Sequence, residues 1–208
     1  AMMAQSLDYY FTLVSPWAYI GHDLFTDLAR RHGARIVYKP VNLGEVFPNS
    51  GGLPLARRHP LRVAYRGMEL QRWRERRGLS FSLKPKHWPF DPTLADCVAV
   101  ALAQRGEDPG PYVSAAFKAV FEAERDMGDS AELGRVLSAL GHHADVLIAD
   151  AQSAPIRAAY AQNSQDALAA GVIGSPSYVR AGEVFWGQDR IELLADALQS
   201  GRAPFRPL

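Results

Sequence analysis

The 208-residue chain carries a single cysteine, Cys97, so no internal disulfide can form, and no Cys or His cluster stands at the spacing of a structural zinc site. One unpaired thiol fits a reducing, cytoplasmic compartment. No excess charge of either sign is present: 23 Lys and Arg against 22 Asp and Glu leave +1, a balance that recruits neither nucleic acid nor an anionic membrane. No stretch approaches about 18 uncharged apolar residues. The opening AMMAQSLDYY has neither a basic start nor an apolar run ahead of a cleavage site. A cytoplasmic protein that does not enter membranes is therefore expected. Gly51-Gly52 precedes no Lys-Ser/Thr pair, so the phosphate-loop pattern fails. No Ser-His-Asp order is distinguishable, and His142 and His143 follow a helix-ending glycine, where exposed turn residues are expected. What is present, 48% hydrophobic and 22% charged residues, is ordinary globular usage, and the length is enough to bury a core without staples.

The chain divides by periodicity into three parts. LDYYFTLV from Leu7 is aromatic and β-branched, Pro16-Trp17-Ala18 opens a helix that Gly33 stops, and Arg35–Val41 alternates as a second strand. Strand, helix and strand make a βαβ unit with a right-handed crossover. From Leu55 to about Ala170 the β signal vanishes and helix punctuation repeats. Leu61, Ala64, Tyr65 and Met68 share one face, and Asp91-Pro92 starts a helix carrying Leu94, Cys97, Val98, Ala101 and Leu102. Phe117, Val120, Phe121 and Glu124 continue a helix after Pro111; Leu133 to Leu140 make another ending at Gly141; Ile156, Tyr160 and Leu168 belong to one ending at Gly171. Strand character returns over Val172–Val179, turns at Ala181-Gly182, and continues over Glu183–Trp186 as a hairpin, before a last helix with Ile191, Leu194, Ala195 and Leu198 on one face. The order βαβ, helices, ββα predicts an α/β domain, residues 1–54 and 171–208, split by an all-α insertion at 55–170.

Ser15-Pro16-Trp17 directly follows the first strand, where a helix begins. A helix N-terminus presents unpaired N–H groups and a partial positive charge, which stabilise an anion such as a thiolate. Ser15 reads equally as a plain N-cap with Pro16 at the first helical position. Gly174-Ser175-Pro176 interrupts an apolar strand pattern, so Pro176 is either at an edge or bulge or is a cis proline that leaves the preceding backbone open to a peptide-like ligand. Gln188-Asp189-Arg190 starts the last helix, where a carboxylate either caps the helix or holds a ligand ammonium. The arginines between Arg57 and Arg77 interleave with Tyr65, Met68 and Trp73 and read as a solvated amphipathic face, one or two of them available to a carboxylate. Lys84–Pro89, with Lys86, His87 and Trp88, reads as a proline-bounded loop, either a rigid surface turn or the border of a site.

YYFTLVSPWAYIG, the helical insert, GVIGSPSYV and FWGQDRIELL together resemble the DsbA-like thioredoxin superfamily, specifically the 2-hydroxychromene-2-carboxylate isomerases and the related kappa-class glutathione transferases. The resemblance spans essentially the whole chain. It implies a thioredoxin-like domain interrupted by the helical insertion. Redox members have cysteines at the positions of Ser15 and Ala18; with both absent, disulfide exchange lacks its attacking thiolate. The resemblance implies that glutathione supplies the sulfur and that Ser15 hydrogen-bonds it. Ser175 before a cis Pro176 binds the cysteinyl backbone in that reading, and Gln188 and Asp189 take the γ-glutamyl end. Relatives carry an Asn and a Lys in the loop after the second strand, whereas here Gly52 stands where the Asn aligns. Arg58 is the stand-in for the glycine carboxylate, with Asn49, Arg57 and Arg62 as its competitors. The implied reaction is isomerisation of an aromatic carboxylate by thiolate addition, bond rotation and elimination. Trp17, Trp88 and Trp186 are candidate walls for the aromatic substrate, and Lys86, His87 or an arginine candidate partners for its carboxylate. The family alternative is a transferase or peroxidase using the same thiolate; from another class, a non-catalytic binding module. Relatives also imply a homodimer.

Overall fold

The computed structural model describes residues 5–208. Strand β1 (Ser6–Phe11) leads into helix α1 (Pro16–Arg31) and strand β2 (Arg35–Pro40). A short helix α2 (Leu43–Val46) and two 3-10 turns follow, then α3 (Pro60–Arg77), α4 (Thr93–Gln104), α5 (Gly110–Phe121), α6 (Ser130–Ala139), α7 (Ala144–Ala151) and α8 (Ala154–Ala170). The chain returns to the sheet with β3 (Ser177–Arg180) and β4 (Glu183–Trp186), makes a 3-10 turn over Gln188–Arg190, and ends in α9 (Ile191–Ser200). The sheet order is β2-β1-β3-β4, with β1 parallel to β2 and antiparallel to β3, and β3 antiparallel to β4. This is the expected βαβ and ββα arrangement with helices between.

Both faces of the sheet are covered, which is why β1 reads as a nearly continuous apolar run. Leu7, Tyr9 and Phe11 point to one side and join a cluster with Phe25, Phe117, Phe121 and Leu133. Tyr10 points to the other side and packs with Val41, Val46, Ala167 and Val179. One continuous apolar cluster therefore runs from the sheet into the interposed helices. Cross-strand partners Tyr9 and Tyr178 stack with ring centroids 5.6 Å apart. Gly21, inside α1, costs about 1 kcal/mol of helix propensity relative to Ala. A Cβ there would come within 2.6 Å of Gln188 Cβ, so its absence lets α1 approach the 3-10 turn that carries Gln188 and Asp189.

Four expectations need correction. The segment Val172–Pro176 is loop, and β3 begins only at Ser177: the run of apolar residues has one buried core member, Val172, while Ile173 is exposed. Helix α5 ends at Phe121, and Glu124 lies beyond it with φ of 53°. A helix the periodicity did not distinguish, α7, follows His143, its N-cap residue. The stripe Leu61, Tyr65 and Met68 does share one face of α3, but the three residues are 75%, 54% and 47% exposed.

Candidate functional site

Ser15 begins α1 in an extended conformation, φ −85° and ψ 112°, as an N-cap requires. Its Oγ accepts from the Ala18 N–H at 3.2 Å and donates to the Ser175 carbonyl at 3.3 Å. The Thr12 N–H donates back to Ser175 Oγ at 3.2 Å. The Ser175–Pro176 bond is cis, so the edge-or-bulge alternative gives way to the cis reading, with Pro176 placed just before β3. Two loops 160 residues apart in sequence thus meet at the start of α1 through hydroxyl and backbone groups.

The β1–α1 loop is held from beneath by Asp96, a fully buried carboxyl on α4. Thr12 Oγ1 donates to it at 2.7 Å, the Leu13 N–H at 2.9 Å and the Tyr160 hydroxyl at 2.9 Å. Burial pushes this carboxyl up to about 7, while the three donors pull the other way. Sequence reading did not assign Asp96 to the site, although one carboxylate inside LADCVAVALA was a visible signal, since a charge in an apolar helix needs partners.

The far side of the site is the turn after β4. The Gly187 N–H donates to the Pro176 carbonyl at 2.9 Å, tying the cis-proline loop to that turn. Gln188 is buried. Its side-chain carbonyl accepts from Arg77 Nε at 3.1 Å and its backbone carbonyl from Arg77 Nη2 at 2.9 Å, while Arg77 Nη1 pairs with Glu192. Arg77 from α3 is therefore the clamp on the turn, and Gln188 serves the clamp with the oxygens proposed for a ligand. Asp189 makes no helix cap; its carboxylate pairs with Arg190 at 2.9 Å and is 42% exposed. Trp186, 54% exposed, lies over Gly174 beside Ser175.

The loop Lys84–Pro89 borders the start of α1. Trp88 donates its indole N–H to the Val14 carbonyl at 2.8 Å, one residue before Ser15. The Arg66 guanidinium lies 5.3 Å from the centre of the Trp88 ring. Pro16, Arg66, Leu70, Phe81, Trp88 and Phe121 line a narrow cleft there. Trp17 is half-buried against the core. Lys86 and His87 are exposed at the outer edge of the loop, where the Lys86 N–H donates to Glu124. Arg58 is half-buried, donates to the Leu53 carbonyl at 2.9 Å and lies over the Phe47 ring. Asn49 is exposed and donates to the Glu45 carbonyl. A Cβ on Gly52 would stand 2.5 Å from the Phe47 ring, a physical reason for glycine where an asparagine was expected.

The structure thus brings Ser15, Ser175, Pro176 and Trp88 to one helix end, keeps Asp189 at its rim, and leaves Lys86 and His87 in solvent. The remaining sulfur is remote in chemistry as well: Cys97 is fully buried on α4, and burial pushes its thiol up to about 12. A hydroxyl donor, a helix start and an open backbone loop suit a bound thiolate peptide better than a thiol of the chain's own.

Comparison with known proteins agrees with this frame. The family model described as the DSBA-like thioredoxin domain matches residues 6–199. A 2-hydroxychromene-2-carboxylate isomerase of Sphingobium xenophagum is 28% identical over 198 residues, covering 94% of this chain and 99% of that protein. A solved 2-hydroxychromene-2-carboxylate isomerase superposes with a TM-score of 0.80 at 23% identity, over 94% of this chain and 95% of the other. The cytosolic disulfide reductase DsbM of Pseudomonas aeruginosa, solved with GSH, superposes with a TM-score of 0.69 at 14% identity, over 94% and 96% of the two chains. The two structural likenesses speak for the fold. No helix among the described residues is long and apolar enough to cross a membrane.

Proposed function

The chain belongs to the DsbA-like thioredoxin domain family, and we propose that within it the protein is a glutathione-dependent isomerase of 2-hydroxychromene-2-carboxylate or a similar aromatic carboxylate. The observation that carries this reading is a thioredoxin-like helix start at which the chain offers the Ser15 hydroxyl, while its one thiol is sealed in the core. The name carried by the Sphingobium relative supports the reaction class. The residues present fit glutathione: Ser15 lies at the sulfur position, the Ser175–Pro176 backbone alongside, and the carboxylate of Asp189 at the rim for an ammonium group.

When bound, glutathione supplies a thiolate that adds to the conjugated alkene of the ring-opened substrate and leaves after rotation about the resulting single bond. Ser15 Oγ keeps its bond from the Ala18 N–H and turns its proton from the Ser175 carbonyl to the sulfur. The α1 N-terminus adds its partial positive charge, and each pH unit of thiol acidification so gained corresponds to about 1.4 kcal/mol. Asp96 keeps Thr12 and Leu13 fixed, so Ser15 does not have to be ordered during turnover. Arg77 holds the turn that carries Asp189. Trp17 and Trp88 wall the substrate side, Lys86 and His87 border its entrance, and Arg58 takes the glycine carboxylate. A cytoplasmic location and pairing with a second copy of the chain belong to the same proposal. The lone buried thiol supports the first, and the exposed stripe Leu61, Tyr65 and Met68 supports the second.

The test is the ultraviolet spectral change of 2-hydroxychromene-2-carboxylate with purified protein, with and without glutathione, for the natural chain and Ser15→Ala. Conversion that requires glutathione, leaves its total unchanged and drops about 100-fold in the variant is expected. A stable thioether product would move the protein to the transferases. Absence of both glutathione binding and conversion would leave a binding module.

A further inference from the structure

Most arginines of α3 with a defined partner spend their charge within the protein. Arg72 pairs with Glu69, Arg77 with Glu192, and Arg74 donates to the Phe81 carbonyl. Arg66 is different. It is half-buried, and among the described residues no carboxylate lies within ion-pair distance of it. Its guanidinium stacks on Trp88 and its nitrogens are not sealed from solvent. Burial, and then the positive charge of Arg58 nearby, hold its pKa below the usual arginine range. Two cations side by side without a counter-ion are unfavourable, and an incoming anion relieves both. The planar fork of a guanidinium fits a carboxylate with two parallel hydrogen bonds.

The surroundings say what the carboxylate is attached to. Trp88 cannot swing freely, because its indole N–H is bonded to Val14. Its ring, with Pro16, Phe81, Leu83 and Phe121, gives the cleft beside Arg66 apolar walls. That cleft lies at the same helix start as Ser15. A flat ring bearing one carboxylate satisfies the walls and the fork together; a phosphate or an aliphatic acid satisfies only the fork. We infer that Arg66, with Arg58 beside it, is the residue that binds the carboxylate of a planar aromatic substrate whose ring enters the Pro16–Trp88 cleft. The assignment deepens the isomerase reading and rests on it for the location of the reacting carbon.

The experiment needs neither turnover nor glutathione. Chromone-2-carboxylate, a flat acid that cannot isomerise, and its neutral carboxamide are titrated calorimetrically into the natural protein, Arg66→Gln and Arg66→Lys, with melting temperatures recorded for each. The natural protein is expected to prefer the acid, and Arg66→Gln to lose about 10- to 100-fold in affinity for it with the carboxamide and glutathione affinities unchanged. Arg66→Lys is expected to recover part of the loss. Equal losses for acid and carboxamide, unchanged acid binding, no binding of either probe to the natural protein, or a loss confined to glutathione each overturn the assignment. Failure of the isomerase reading is seen separately: no conversion of the chromene acid, with the acid preference still abolished by Arg66→Gln, sinks the reaction and leaves the carboxylate site.

Discussion

Replacing Asp96 by Asn tests the polar support under the β1–α1 loop. The folded protein holds this carboxyl near 7, mainly through burial, against 3.8 for an ordinary aspartate. Between those values the folded state binds the proton and the unfolded state does not, so stability falls as pH rises across that window and is level above it. Over the whole window, at about 1.4 kcal/mol per pH unit, the loss reaches about 4 kcal/mol. Between pH 5 and pH 8, of which only the part up to about 7 counts, it is about 3 kcal/mol. Asparagine removes the titration while keeping the shape. Its carbonyl still accepts from the Leu13 N–H, and its amide group meets the Thr12 and Tyr160 hydroxyls, which accept instead of donating.

Urea unfolding of both proteins at the two pH values gives the comparison, and every other titrating group cancels in it. His22, which burial pulls down to about 4, contributes the opposite slope below neutrality and would obscure the effect in the natural protein alone. The natural protein is expected to lose about 3 kcal/mol more than Asp96→Asn on going from pH 5 to pH 8. Identical losses would show that the carboxyl stays ionised in the folded protein, and that the three donors outweigh its burial. Asp96→Ala is expected to behave differently again, costing about 2–4 kcal/mol at both pH values, because it strands three buried donors.

Arg77→Ala is expected to cost about 2–4 kcal/mol by freeing the Gln188 turn and to weaken glutathione binding through the displaced Asp189. Calorimetry of glutathione alongside thermal melting checks both, and full affinity at reduced stability would confine Arg77 to the fold. Cys97 is expected to resist thiol reagents in the native state and to react on unfolding. Cys97→Ser should retain its rate of conversion while losing about 1–3 kcal/mol of stability to a buried hydroxyl. Loss of conversion at full stability would return the chemistry to the chain's own sulfur.

The start of α1 was legible because everything that specifies it is local: Ser15 caps, Pro16 takes the first helical position, and a β-branched and aromatic strand precedes them. The hairpin at Ala181-Gly182 is equally local, both turn residues having positive φ. Periodicity failed where a pattern names a face without naming what the face meets. Leu61, Tyr65 and Met68 share a side of α3, yet that side looks outward in the single chain. The supports of the site were out of reach for a different reason. Asp96 lies 84 residues from Thr12 and Arg77 lies 111 residues from Gln188, so no local spacing rule connects them. Each is a charged group from the interposed helices bonded to backbone of the thioredoxin-like segments. The segments that carry the candidate chemistry are therefore fixed by helices that lie between them in sequence. Changes within those helices can re-aim Ser15 or Asp189 without touching either residue, and substrate preference can be altered at Arg66 while the helix start that positions a thiolate stays as it is.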